Sequence, residues 1–319
     1  MSHARRTATV PAELGGKPLD GAVRALFGLT WGKARAFVER GKVTVGGDVV
    51  VEGDRRVRAG AVLELDPARP APARASDLGS AALVHVDAQV VVVRKPSGIS
   101  TVPFDENETG TLDERVRAIL SKRGSGGGRP NLGVVHRIDK ETSGLVVFTR
   151  TWLAKQSLTQ QFREHTVVRR YLAIVHGAPA TRTFRSHLIA DRGDGLRGSW
   201  EARPRKSPKA EGQLAVTHVK RLERRGAASL VECRLETGRT HQIRIHLSEA
   251  GHPLVGERVY VRNFAGEPIA APRLMLHAAV LGFVHPSTGE DVLFEDPMPD
   301  DMARVWAKLS EGARTEGGE

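Results

Sequence analysis

The pattern of apolar and polar positions predicts two short helices near the start of the chain. Leu19, Val23 and Phe27 recur every four residues, a spacing that places them on one face of a helix. Ala34 and Val38 repeat this spacing in the next segment. A helix with one apolar face must bury that face against another element, so the two helices predict a small packed module.

A β-hairpin and then a linker are predicted after these helices. Gly46 and Gly47 separate two valine-rich segments, 43–45 and 49–51, as in a tight turn between paired strands. Residues 67–80 carry three prolines, which exclude a helix or a central strand. We therefore expect this order along the chain: a flexible tail over 1–16, a module over 17–66, a linker over 67–80, a larger domain over 81–310 and a flexible tail over 311–319.

Strand-like and helix-like segments are mixed in the larger domain. Residues 90–93 and 145–148 are continuous apolar runs typical of buried strands, and Thr151 stands where it can cap a following helix. Strands and helices that do not alternate strictly favour an α+β fold over a doubly wound parallel sheet.

The most informative polar segment of this domain is the turn at residues 136–145. It places Asp139 among Arg, His, Thr and Ser side chains, between two strand-like runs. Strand ends can hold reactive groups on a rigid base, which favours a catalytic carboxylate. An aspartate in such a turn also commonly hydrogen-bonds its own backbone, so a purely structural interpretation of Asp139 is equally open.

Charge and composition narrow the partner and exclude several kinds of site. The 48 Lys and Arg residues outnumber the 37 Asp and Glu residues, and the formal net charge of +11 favours a polyanionic partner, with a basic surface that serves solubility alone as the alternative. No apolar run approaches the ~18 residues of a membrane span. With no apolar segment behind Arg5 and Arg6 and a single cysteine, Cys233, we expect a cytoplasmic protein without disulfides. The chain has no dinucleotide fingerprint, P-loop or His-Glu-x-x-His motif, so we expect no cofactor and no metal.

Five segments of the larger domain resemble, in the same order, the motifs of the RluA family of RNA pseudouridine synthases. The turn at 136–145 is similar to the family sequence His-Arg-Leu-Asp-x-x-Thr-Ser-Gly, with Ile138 in the Leu position. The resemblance implies a mixed, largely antiparallel sheet and the isomerisation of uridine in RNA without a cofactor. The other four segments are Lys95-Pro96-Ser97-Gly98, the tyrosine segment 170–175, the arginine segment 235–247, and the closing segments 276–278 and 283–286.

The resemblance also implies roles for individual residues. Asp139 would be the catalytic carboxylate beside the ribose, Arg244 its positive partner, and Tyr171 would place its ring against the uracil. Arg137 would fill the gap that an extruded nucleotide leaves in the RNA stack, and Arg239 would contact the RNA. The residue types alone leave core packing open for Tyr171 and an exposed helix charge open for Arg244.

Local details of the arginine segment and its surroundings complete the expected site. Thr240 and Gly251 are expected to begin and end the helix that carries the arginine of the site. Three positions depart from the family pattern: Arg169 stands where relatives usually have Lys, and Glu257 and Val261 stand in a loop where relatives commonly have Asp and Gly. The catalytic Asp, Tyr and Arg are all present.

The N-terminal module, 17–66, resembles the α-L RNA-binding domain first named from a small-subunit ribosomal protein. Pro18 departs from that pattern, because relatives usually have Arg there. The alternative is a small accessory domain whose basic face is only solvated. The resemblance implies RNA contacts from five side chains: Thr30, Lys33, Arg35, Arg40 and Lys42.

The favoured hypothesis is a monomeric RNA pseudouridine synthase acting on large-subunit ribosomal RNA, because a second RNA-binding domain helps to select one site among many. Transfer RNA is the alternative substrate. The alternative function is a non-catalytic RNA-binding or ribosome-assembly factor on the same scaffold. Three routes stay open for the Asp139 carboxylate, which can attack the sugar, attack the base or abstract a ribose proton.

Overall fold

The chain divides into two compact units, Met1–Asp77 and Leu78–Glu319. The boundary falls inside the segment predicted as a linker, 67–80, of which residues 70–77 lie outside the described residues. The computed structural model describes residues 5–50, 53–69, 78–104, 108–123, 130–193, 195–202, 212–261 and 264–315.

The first unit combines two helices with an antiparallel sheet in the order β1-β4-β2-β3. The two predicted helices and the predicted hairpin are all present. Leu19 and Val23 from the first helix and Val38 from the second bury their side chains against Leu63 of the last strand. The elements are β1 (Arg6–Thr9), α1 (Leu19–Phe27), α2 (Trp31–Glu39), β2 (Val43–Val45), β3 (Asp48–Val49) and β4 (Val62–Leu65).

The expectation of a flexible tail over residues 1–16 is wrong from residue 6 onward. Arg6–Thr9 form a strand that pairs antiparallel with Val62–Leu65. The amide of Val10 continues the pairing by donating to the carbonyl of Ala61 at 2.9 Å, and the Val10 side chain is buried in the core. The strand forms because the backbone groups along β4 pair with it, and no local pattern reveals that partner.

The second unit is built on a large, mostly antiparallel sheet. The strands are β5 (Leu83–Val86), β6 (Val90–Lys95), β7 (Gly133–Val134), β8 (Ser143–Thr149), β9 (Val168–His176), β10 (Arg182–Ile189), β11 (Gly198–Ser199), β12 (Gln213–Arg225), β13 (Ala228–Leu235), β14 (Leu276–Val284) and β15 (Asp291–Glu295). The main path of the sheet runs β11-β10-β12-β13-β9-β14-β8-β6-β5, with β15 beside β14 and β7 beside β8. Only β8 and β14 pair in parallel among the described strands. The predicted α+β class with a largely antiparallel sheet is confirmed.

Four helices accompany this sheet in the described residues: α3 (Leu112–Arg123), α4 (Trp152–Arg163), α5 (Gln242–Glu249) and α6 (Asp300–Thr315). Thr151 caps α4 as predicted, because its hydroxyl accepts a hydrogen bond from the amide of Ala154 at 3.1 Å. The expected flexible tail over 311–319 is wrong in its first part, since α6 continues to Thr315. Val305 and Trp306 bury this helix against the sheet core and support its length.

The register of the central strands positions the candidate site. Gly144 on β8 and Tyr171 on β9 are both paired with Ala278, which lies on β14 between them. Strands in a sheet are about 4.8 Å apart, so Gly144 and Tyr171 are separated by about 10 Å. The turn that carries Asp139 leads directly into β8 and therefore ends close to Tyr171.

Candidate active site

A pocket of about 420 Å³ lies where the turn before β8 meets β9 and the approach to α5. Its size is that of an ordinary small-ligand site. The pocket brings together Asp139, Tyr171, Arg137 and Arg239, four of the residues predicted from the sequence. The described residues that line it are Val135, His136, Arg137, Ile138, Asp139, Thr142, Phe162, Arg163, His165, Arg169, Tyr171, Leu235, Gly238, Arg239, Thr240, Gln242, Ile243 and Leu276.

The turn that carries Asp139 is fixed through its backbone. The carbonyl of Asp139 accepts a hydrogen bond from the amide of Thr142 at 3.0 Å. The hydroxyl of Thr101 donates to the carbonyl of Ile138 at 2.9 Å and accepts from the Ile138 amide at 3.2 Å. Because these bonds use backbone groups, the half-buried carboxylate of Asp139 can face the pocket.

Lys95 anchors the same turn from the interior. Its side chain is 1% exposed, and its ammonium donates to the carbonyls of Pro96 at 3.0 Å, Ile99 at 2.8 Å and Lys140 at 2.9 Å. Burial lowers the pKa of Lys95 to about 7, although the charge of Glu141 and then that of Asp139 raise it. Three carbonyl acceptors match the three N–H groups of an ammonium, so the contact tethers the residue after Asp139 to the end of β6.

Tyr171 reaches the pocket from the middle of β9. The side chain is 8% exposed, and burial raises the pKa of its hydroxyl to about 12, with Arg169 acting to lower it and Asp139 to raise it further. The phenol is therefore protonated at neutral pH. Tyr171 lines the pocket, so its side chain is placed where a ligand in the pocket would contact it.

Arg244 has a different partner from the one expected. The prediction paired it with Asp139, but in the described residues its guanidinium forms a two-point ion pair with Glu257, with Nε and Nη2 each 2.7 Å from a carboxylate oxygen. Burial lowers the pKa of Arg244, but the hydrogen bond and charge of Glu257, followed by the charge of Asp139, raise it above its ordinary value. Glu257 contacts the guanidinium directly because its two carboxylate oxygens accept hydrogen bonds from two guanidinium N–H groups at once.

Glu257 also organises the loop behind the site. Its side chain is fully buried, and Oε1 accepts hydrogen bonds from the amides of Arg258 at 3.0 Å and Val259 at 2.9 Å. Burial raises the pKa of this carboxyl, but the Arg244 hydrogen bond and charge outweigh it and hold the pKa below its ordinary value. In the sequence, Glu257 stood out only as a departure from the family pattern. Its acidic side chain was the signal that could have identified it as the partner of Arg244.

A histidine–tyrosine pair next to this ion pair was not predicted. Nδ1 of His241 lies 2.7 Å from the hydroxyl of Tyr260, and the Arg244 guanidinium lies 5.3 Å from the Tyr260 ring centre. Burial lowers the pKa of His241, whereas Asp139 is the largest influence that raises it. His241 also has a positive φ of 59°, an uncommon conformation outside glycine that occurs at functional sites.

The start of helix α5 differs from the prediction. Thr240 was expected to cap it, but the residue before the helix is His241, which forms no side-chain cap. Gln242 holds the approach instead, because its Oε1 accepts from the hydroxyl of Thr237 at 2.8 Å and from the amide of Arg239 at 3.0 Å. Arg244 still lies in the first turn of the helix, as predicted, and Gly251 follows the helix end with a positive φ of 81°.

The electrostatic character of the pocket is strongly positive. Among the described residues that line it, Asp139 is the one carboxylate, against four arginines: Arg137, Arg163, Arg169 and Arg239. His136 contributes no charge at neutral pH, because burial and then Arg169 lower its pKa to about 3. Such a lining suits a polyanionic ligand, and Asp139 supplies the carboxylate that could react with it.

In the first unit, the five residues expected to bind RNA differ in exposure. Thr30 uses its hydroxyl to cap α2, accepting from the amide of Lys33 at 3.4 Å. Arg35 lies 3.9 Å from both Asp20 and Glu39, and Lys42 donates to the Arg69 carbonyl. Lys33, Arg35 and Arg40 are exposed, whereas Lys42 is half-buried. Their contact with RNA stays a prediction.

Pro18 departs from the α-L pattern and stands as the residue before α1, with an isolated bridge to Arg56.

The described residues contain neither a membrane-spanning helix nor a cluster of metal ligands. No helix there is long and apolar enough to cross a membrane. No group of three or more His, Cys, Asp or Glu side chains is arranged to hold a metal ion in the same residues.

Comparison with known proteins identifies the family. A model of the RNA pseudouridylate synthase family matches residues 89–249, which include the turn of Asp139, Tyr171 and Arg244. "Ribosomal large subunit pseudouridine synthase D" of Neisseria meningitidis serogroup A is 37% identical over 317 residues, covering 94% of this chain and 81% of that protein. The chain belongs to the RNA pseudouridylate synthase family, as the sequence motifs indicated.

Further relatives agree with this assignment. The protein of the same name from Pseudomonas aeruginosa is 35% identical, covering 93% of each chain. Among solved structures, human RNA pseudouridylate synthase domain containing 4 superposes with a TM-score of 0.57 at 22% identity, covering 72% of this chain and 93% of that chain. Human RNA pseudouridylate synthase domain containing 1 gives a TM-score of 0.53 at 24% identity, covering 72% and 94%. These structures share the fold.

Proposed function

We propose that the protein converts uridine to pseudouridine in RNA, with Asp139 as the catalytic carboxylate. The observation that carries the proposal is the pocket in which one half-buried carboxylate and Tyr171 are surrounded by arginines. Family membership supports the reaction class. The positive lining supports RNA as the ligand, because Arg side chains neutralise phosphates and release their counterions.

The reaction needs few catalytic groups. It breaks the bond between C1′ of the ribose and N1 of uracil, turns the base and joins C1′ to C5; C5 then loses a proton and N1 gains one. The exchange is balanced without a redox change or a transferred group. Asp139 would act on the nucleotide. Tyr171 would pack its ring against the uracil, and its protonated hydroxyl would be able to donate a proton but not to take the one that C5 loses.

Arg244 is best assigned a supporting role. Its side chain is buried and paired with Glu257, yet it is near enough to Asp139 for the two charges to interact. A fixed positive charge near Asp139 favours the ionised carboxylate that the reaction requires. Arg137 is exposed and lines the pocket, where it would replace the extruded nucleotide in the RNA stack. Extruding a nucleotide from the stack costs a few kcal/mol.

A tritium-release assay separates this function from the alternatives. Purified protein is incubated with RNA that contains uridine labelled with tritium at C5. An active pseudouridine synthase releases tritium and leaves the strand intact, whereas a non-catalytic RNA-binding factor binds RNA without release. Binding without release by the intact protein would overturn the proposal.

Large-subunit ribosomal RNA is the substrate that we propose. The relatives from Neisseria meningitidis and Pseudomonas aeruginosa are named for it, and they match more than 90% of this chain. A second RNA-binding unit and a cytoplasmic monomer remain parts of the proposal. Pseudouridine mapping in a strain without the gene should show losses in large-subunit rRNA and unchanged transfer RNA; loss confined to transfer RNA would replace the substrate and keep the reaction.

A further inference from the structure

Arg169 is a buried cation in the pocket. Its side chain lines the pocket and the residue is 7% exposed. Nη2 donates to the carbonyl of Glu236 at 2.7 Å, but Nε is buried without a hydrogen-bond partner, and no carboxylate of the described residues pairs with the guanidinium. A buried charge without an opposite charge is costly, which makes Arg169 a candidate for binding an anionic ligand.

The guanidinium packs near an aromatic ring and against a glycine. Its centre lies 5.6 Å from the ring of Phe162, which in turn stacks on His136 at 4.7 Å. It also lies against Gly238, where an added Cβ would lie 2.6 Å from Nη1 of Arg169. The absence of a side chain at Gly238 is therefore what admits the guanidinium to this position.

Strand geometry relates Arg169 to the expected position of the base. Arg169 and Tyr171 lie on the same face of β9, two residues apart, which corresponds to about 7 Å along the strand. Asp139 lines the same pocket as these two residues, and the charges of Arg169 and Asp139 act in opposite directions on the pKa of the Tyr171 hydroxyl. A uracil held at Tyr171 would therefore have the phosphate of its own nucleotide within reach of Arg169.

We propose that Arg169, seated against Gly238, binds a phosphate group flanking the target uridine and so holds the extruded nucleotide in the pocket. This inference rests on the proposed pseudouridine synthase function and identifies a binding subsite within it. A phosphodiester supplies one negative charge and two terminal oxygens, which match the fork of a guanidinium. A uracil carbonyl could accept a hydrogen bond but would leave the buried charge uncompensated.

The test couples the protein residue to the RNA group. The substrate is a synthetic stem-loop that contains the target uridine, prepared with either natural phosphates or a neutral methylphosphonate at one of the two linkages flanking that uridine. The value of kcat/KM for pseudouridine formation is measured for the wild type and for Arg169→Gln. Each single change should lower it about 10- to 100-fold, the range for one hydrogen bond to a charged group.

The combined change decides the inference. With Arg169→Gln, the methylphosphonate at the bound linkage should cause no further loss, because the partner of that phosphate is already gone. Losses that multiply at both linkages would overturn the phosphate assignment while leaving the enzyme function intact. If the wild type forms no pseudouridine in any RNA, both the function and this inference fail.

Two further variants guard against a folding defect. Gly238→Ala keeps every charge and should displace only the flexible end of Arg169, so it should reproduce both the loss and the insensitivity to methylphosphonate. Arg170→Gln alters the adjacent arginine, which lies on the opposite face of β9, 3.7 Å from Glu232. It should stay within about twofold of the wild type and keep full phosphate sensitivity. If the methylphosphonate still lowers kcat/KM of Gly238→Ala as much as that of the wild type, Gly238 is not what positions the Arg169 guanidinium.

Discussion

Replacing Glu257 with Gln should destabilise the second unit substantially. The substitution keeps the shape of the side chain but removes the charge that is buried against Arg244, whose side chain is 7% exposed. Breaking a buried ion pair by removing one partner costs about 3–5 kcal/mol, because the remaining charge is left uncompensated. The nearby charge of Asp139 offsets part of this cost, so we expect about 3 kcal/mol.

The expected loss is large enough to measure by urea or thermal unfolding. For a unit of this size, 1 kcal/mol corresponds to about 2–4 °C, so the midpoint should fall by about 6–12 °C. Tryptophan fluorescence reports mainly on this unit, because Trp152, Trp200 and Trp306 belong to it and only Trp31 belongs to the other. Glu257→Asp, which keeps the charge, is the matched control and should retain most of the stability.

The pH dependence of this variant supplies an independent check. The folded pKa of Glu257 is below its ordinary value, so the pair contributes its full stability above that ordinary value and loses it as pH falls through the lowered folded value. The difference between wild type and Glu257→Gln should therefore be constant near neutral pH and shrink in acid. A variant within about 0.5 kcal/mol of the wild type at neutral pH would refute the energetic role of the pair.

Two other predictions follow from individual contacts. Gly144→Ala should destabilise the second unit by about 3 kcal/mol or more in the same unfolding assay, because its φ is +114° and a Cβ would lie 2.3 Å from the Ala278 carbonyl oxygen; Gly289→Ala, at an open site, should lose only about 1 kcal/mol. Substituting Lys33 and Arg40 together with Gln should reduce the slope of log affinity against log salt for RNA by about 2, and an unchanged slope would mean that this face is only solvated.

The features that the sequence predicted correctly have short-range causes. The helix that begins after Thr151 follows from a hydroxyl that caps the next turn, and the hairpin at Gly46 and Gly47 follows from the backbone freedom of glycine. The polar turn at Asp139 was recognised because apolar strand residues flank it on both sides. Each of these signals lies within a few residues of the structure that it specifies.

The features that were missed depend on partners distant in the sequence or on the tertiary fold. The strand Arg6–Thr9 exists because it pairs with Val62–Leu65, and its own residues carry no apolar alternation. The resemblance to the RluA family implied that Arg244 pairs with Asp139. The fold placed a second carboxylate, Glu257, in better geometry for the guanidinium, and a charge count cannot rank two such partners.

The central claim is that the Asp139 carboxylate performs the isomerisation, and the Asp139→Asn variant tests it most directly. The substitution preserves the size of the side chain and the backbone bonds of the turn, and phosphate contacts dominate RNA binding. Tritium release and RNA affinity are measured on the same preparation of the intact protein. The account predicts that release is abolished while affinity stays close to that of the wild type. Release near the wild-type rate would remove Asp139 from the mechanism and contradict the account.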